Sequence, residues 1–152
     1  MAAQTLNDVL SRTREVHNLL AASLSQSANQ TENSRAELLL DYLSDHEHKL
    51  AAALQTIQDS ADKKQLETWF YEFAQKHNVL RTDAQHKPFS EMTTDEIMAE
   101  IADEHEQIIE LYRYLYGRAG TSSSHELLKQ LIDLEQHEAM QMVQQGEQAD
   151  DM

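Results

Sequence analysis

Leu43-Ser44-Asp45-His46-Glu47-His48-Lys49-Leu50 places ionisable groups where a helix should be apolar. Around it, Leu39, Leu43, His46, Leu50, Ala53 and Ile57 recur at helical spacing, and so do Leu40, Leu43, Glu47, Leu50, Leu54 and Ile57. Either stripe has the three-and-four rhythm of one buried helix face. His46 and Glu47 therefore stand mid-stripe, where a core helix carries Leu or Ile. A buried carboxylate costs several kcal/mol unless it is paired, hydrogen-bonded or bound to a metal.

Upstream, Thr5 or Asn7 is placed to cap a helix over about 5–28, whose stripe Leu6, Leu10, Thr13, His17, Leu20, Leu24 has a histidine at its middle. The capping residues of 27–33 predict a turn, and Asn33 or Ser34 opens the helix over 33–60. Downstream, Thr93 and Glu96 have capping-box spacing and open a helix over 93–117, with the stripe Ile97, Ile101, Glu104/His105, Ile108, Tyr112, Leu115. Gly117 and Gly120 mark its end. Ser122 to Ser124 are expected to cap a last helix over 122–146, with Leu128, Leu131, Leu134, Glu138 and Met142 on its stripe. A frayed acidic tail is expected after Gly146. Residues 59–92 form a long connection, in which Asp62 can cap a short helix over 63–77. Its apolar face, Leu66, Trp69, Phe70 and Phe73, would cover an end of the bundle.

Composition agrees with an all-α chain. Three Gly and one Pro stand among abundant Ala, Leu, Glu and Gln. The 152 residues predict one domain with a real core. No Cys is present, so thiolate metal sites, disulfides and cysteine nucleophiles are excluded. A formal net charge of −15 argues against nucleic acid and anionic membrane surfaces as partners, and leaves metal ions compatible. Neither a membrane-spanning run nor a leader is visible, which predicts a soluble, cytoplasmic protein.

The dipeptide His-Glu occurs as His46-Glu47, His105-Glu106 and His137-Glu138, and the first helix supplies His17. In two antiparallel helices joined by a turn, residues equidistant from the turn lie level. Halfway between 17 and 46 is about 31.5, inside the first turn; halfway between 105 and 137 is about 121, inside the second. The offsets correspond to about 22 and 24 Å along the helices. Four helices thus bring a histidine to nearly one layer. Inward carboxylates and imidazoles in a four-helix bundle are how non-haem di-iron and di-manganese centres are built.

On this layout and on Glu47, Glu104 and Glu138, the chain resembles the ferritin-like superfamily over residues 5–146, and is most similar in size to rubrerythrin-type domains. The resemblance implies two helix hairpins joined by a long crossover. It also implies a centre of iron or manganese, with zinc as a further choice and two ions as an option. Its ligands would come from His17, His46, Glu47, Glu104, His105, His137 and Glu138, and its activity would be di-metal oxidoreductase chemistry on oxygen or peroxide, or iron handling. The family's Glu-x-x-His motif is incomplete, since Leu50 stands three after Glu47 and Gln141 three after Glu138. A second reading therefore stays open: a metal-free bundle with a polar layer, serving as an interaction module and expected to be a homodimer.

Overall fold

The computed structural model describes residues 4–70 and 87–150. It is an all-α four-helix bundle made of two hairpins. The first joins α1 (Leu6–Gln30) to α2 (Ser34–Ser60), and the second joins α4 (Thr94–Tyr116) to α5 (Ser122–Asp150). The crossover holds a one-turn helix α3 (Lys63–Leu66), a two-residue strand and a 3₁₀ turn at Phe89–Glu91.

Side-chain chemistry fixes the helix starts. Thr5 and Asp8 form a capping box on α1, Asn33 accepts from the Arg35 and Ala36 amides on α2, and Thr93 and Glu96 form a capping box on α4. The last helix starts differently from expectation. Thr121, rather than Ser122 to Ser124, receives the Ser124 amide at 3.1 Å, because the cap must stand three residues before the donor. Removing the α4 cap with Thr93→Ala should lower stability by about 1 kcal/mol, read by urea denaturation.

Three further expectations are corrected. The first turn is shorter than 27–33, since α1 runs on to Gln30 with Ser27 and Ala28 buried. The short helix over 63–77 stops at Leu66, and the expected continuation beyond 70, with Phe73, lies outside the described residues. Thr68 instead accepts the Leu6 amide at 2.8 Å, and β2 (Trp69–Phe70) pairs antiparallel with β1 (Gln4–Thr5). That pairing satisfies backbone groups of a segment that would otherwise stand open at the bundle end. Finally, α5 does not fray at Gly146 but continues to Asp150, with Gly146 itself buried.

The register of the first hairpin is written in four contacts: Asn7 with Gln58, Arg14 with Gln55, His17 with Glu47, and Ala21 with Ser44. As one number rises the other falls, so the helices run antiparallel. The apolar interior forms two clusters. One contains Leu6, Leu10, Ile108, Tyr112, Leu128 and Leu131; the other contains Leu24, Leu40, Leu43, Ile97, Ile101 and Met142. Between them in chain order on every helix lies one buried ionisable residue: His17, Glu47, His105 or Glu135. The fold thus places a polar layer between two halves of a dry core.

Candidate metal centre

His17 is at the centre of that layer and is fully buried. Its Nδ1 stands 2.6 Å from Glu47 Oε1 and its Nε2 stands 2.8 Å from Glu135 Oε2. The other oxygen of Glu47, Oε2, accepts from His105 Nε2 at 2.7 Å. The chain of contacts is therefore Glu135–His17–Glu47–His105, one residue from each long helix. The two imidazole rings lie 5.6 Å apart and are tilted by 59°.

Protonation follows from this geometry. Burial alone would lower the His17 pKa from its ordinary 6.5, but the carboxylates of Glu135 and Glu47 outweigh it and raise the value to about 10. Burial likewise pushes Glu47 upward from 4.5, yet the charge of His17 and the hydrogen bonds from His105 and His17 bring it down to about 2. At neutral pH His17 is an imidazolium that donates from both nitrogens, and Glu47 is a carboxylate that accepts on both oxygens. One polar atom of the layer is left over. Glu135 Oε1 is buried and has no hydrogen-bond partner. Donor atoms of His17, His105 and Glu135 all lie within 4.8 Å of one another.

Tyr112 adjoins the layer. It is fully buried and donates to Thr13 Oγ1 at 2.7 Å, and Thr13 in turn donates to the Leu10 carbonyl at 3.2 Å. Burial and then the charge of Glu135 hold its phenol well above the usual tyrosine range, so it stays protonated. Tyr112→Phe should cost about 1 kcal/mol, because Thr13 Oγ1 loses a donor it cannot replace. Thermal or urea unfolding reads that loss.

Of the residues singled out from sequence, the fold brings His17, Glu47 and His105 together. His46 and Glu138 sit apart from them, half-buried, with Nδ1 and Oε2 2.8 Å apart but without the alignment of a hydrogen bond. Tyr42 packs on the His46 ring at 5.2 Å between centroids. Glu104 is only half-buried, one position off the inward face that His105 occupies. His137 is exposed and its Nε2 meets Gln141 at 3.2 Å. His46 and Glu104 miss the layer because a step of one residue turns a side chain about 100° round the helix, while His137 stands two residues beyond Glu135, about 200° round, and Glu138 three, nearly a turn further along α5.

The residue that sequence reading missed is Glu135. It lies four after Leu131 and seven before Met142, on the stripe Leu128, Leu131, Glu135, Met142. Halfway between 105 and 135 is 120, also inside the second turn. Either signal could have found it, but the repeated His-Glu dipeptide drew weight to Glu138.

No family model matches this sequence, and no curated protein matches it either. Among solved structures, it is similar to a Thermotoga maritima crystal structure described as a candidate ferritin-like diiron-carboxylate protein. That likeness covers 97% of both chains at a TM-score of 0.59 and 16% identity. The fold is ferritin-like.

Proposed function

We propose that this ferritin-like bundle is a metal-binding protein, in which His17, His105 and Glu135, with Glu47 orienting both imidazoles, hold one divalent first-row transition-metal ion, iron foremost. The observation that carries the reading is the orphaned Glu135 Oε1 beside two imidazoles. A buried carboxylate oxygen with no partner costs about 1–3 kcal/mol, and a cation there would supply the partner. Glu135 and the adjoining Glu47 together offset the charge of one divalent ion, and imidazole with carboxylate donors suits iron, manganese or zinc. The description of the Thermotoga structure as a diiron-carboxylate protein favours iron among these. A pair of ions would need more carboxylates than the two that the buried layer supplies.

Each residue has a part in such a site. Glu47 presents one oxygen to each imidazole and so sets the orientation of both rings. His17 and His105 would give nitrogen donors, with His17 yielding the proton that it holds between the carboxylates. Glu135 would turn its free oxygen to the ion. The apolar clusters above and below keep water out. Bound iron would supply oxygen or peroxide chemistry, or serve as stored cargo.

The saturation of His17 by two carboxylates favours one competing reading, a metal-free polar layer that satisfies itself. Anaerobic titration with Co²⁺ as a spectroscopic stand-in separates the two. The metal reading expects ligand-field bands that saturate at one equivalent. Glu135→Gln should weaken binding by more than the roughly 10–100-fold that outer-shell changes cost, while His137→Ala leaves it unchanged. Absence of saturable bands would leave the metal-free layer.

A further inference from the structure

The register of the second hairpin exposes a gap beside the layer. Tyr116 stacks on His125, with ring centroids 4.6 Å apart, and a Cβ on Gly146 would meet Met98 Sδ at 2.6 Å. These contacts pair positions about equidistant from a point near 121. Met98, Ala102 and His105 then lie within about one turn of Val143, Ala139 and Gln136 respectively, and all six line one groove. At the middle pair both helices carry only a methyl group, where Leu or Ile would close the seam. The α1–α2 seam also brings small residues together, Ala21 and Ser44, but there Ser44 Oγ donates to the Ala21 carbonyl at 2.8 Å and the helices stay joined.

The gap between α4 and α5 is a groove of about 540 Å³. Its walls include Met98, Ile101, Ile109, Met140 and Val143, and it reaches His105, which is 1% exposed. Met140 and Val143 stand 62% and 42% exposed along it, large apolar side chains held in water. Clefts of about 300–1,000 Å³ with apolar walls and few polar groups are typical of small-molecule sites. Its polar lining is His105, Glu106 and Gln136, with no Lys or Arg to hold an anion. The net charge of −15 rejects anions further.

We infer that the α4–α5 groove binds a small, apolar organic molecule that carries no negative charge and whose inner end lies against His105. The inference deepens the metal-site reading, on which it rests for the ligand's role: the groove would take the substrate of that centre. Gly146 is part of the device. Without a Cβ it lets Met98 lie along α5, and a methionine can reshape around ligands of different outline.

The test uses N-phenyl-1-naphthylamine, a neutral dye that fluoresces in apolar surroundings, with the full chain treated with chelator. Saturable one-to-one binding, displaced by 1-decanol, is the expected result. Ala102→Leu with Ala139→Leu should fill the gap and weaken binding at least tenfold. Met140→Ala with Val143→Ala, at exposed positions that leave folding intact, should weaken it severalfold. Leu38→Ala, an exposed apolar residue on α2, should change nothing. In the Co²⁺-loaded protein, 1-decanol should shift the ligand-field bands. No saturable binding, or equal binding in the filled and rim variants, overturns the groove even if Co²⁺ binds normally. Dye binding without any Co²⁺ binding would leave the groove and overturn its role as a substrate site, as would bands unmoved by 1-decanol. Sedimentation showing a dimer that the rim variant dissociates would assign the groove to a second copy and overturn a small ligand.

Discussion

Glu47→Ala is expected to lower the unfolding free energy of the chelator-treated protein by about 3–5 kcal/mol. Glu47 is the acceptor for two buried imidazoles, so its loss strands His105 and leaves His17 with Glu135 alone. Removing Glu47 takes one of two counter-charges from the buried imidazolium and leaves two imidazole nitrogens without an acceptor in low dielectric, and that penalty dominates. Replacing the whole layer is expected to act in the opposite sense. The fourfold variant His17→Leu, Glu47→Leu, His105→Leu, Glu135→Leu should be as stable as the parent or more so, by up to about 4 kcal/mol, since no group remains to be desolvated. Urea denaturation at fixed pH reads both. A Glu47→Ala cost below about 1 kcal/mol would show that the four side chains do not act as a unit.

The second large effect is on pH dependence. Glu47 has a folded pKa of about 2 against 4.5 unfolded, so its contribution is present above pH 4.5 and fades as pH falls toward 2. His17 has a folded pKa of about 10 against 6.5 unfolded; its contribution is complete below pH 6.5 and is lost as pH rises through 10. Tyr112, raised above 10, adds to the alkaline loss, because the unfolded phenol ionises first. Stability of the metal-free protein should therefore be greatest between about pH 4.5 and 6.5 and decline on both sides. His17→Leu should flatten the decline between pH 6.5 and 10. Midpoints of thermal unfolding across pH provide the check, and an alkaline limb that persists unchanged in His17→Leu would contradict the ionic network.

The helices were legible because their signals are local. Thr93 with Glu96, and the stripe from Leu6 to Leu24, depend on spacing along one segment, and the midpoint rule needs only the turns. Applied to 17 with 46 and to 105 with 137, that rule set the height of the layer to within one residue of Glu47 and two of Glu135. It could not decide which way a residue faces, and that is where reading stopped. His46 and Glu47 fit two overlapping stripes equally well, and only packing of α2 against α5 sends Glu47 to the centre and His46 to Glu138. Glu135 was obscured for a different reason: the three His-Glu dipeptides look like a repeat, but neighbouring residues point about 100° apart and cannot all enter one layer. The pairing of Trp69–Phe70 with Gln4–Thr5 spans the whole first hairpin and α3 in sequence, and two-residue strands carry no periodicity to find.

The most direct test is metal content of the full chain, purified without chelator or affinity tag and then loaded anaerobically with ferrous iron. About one equivalent of retained iron, absent from Glu47→Gln with Glu135→Gln, is the predicted result. No retained metal in the parent protein after loading would contradict a metal centre, and would leave His17, Glu47, His105 and Glu135 as a metal-free layer of the core.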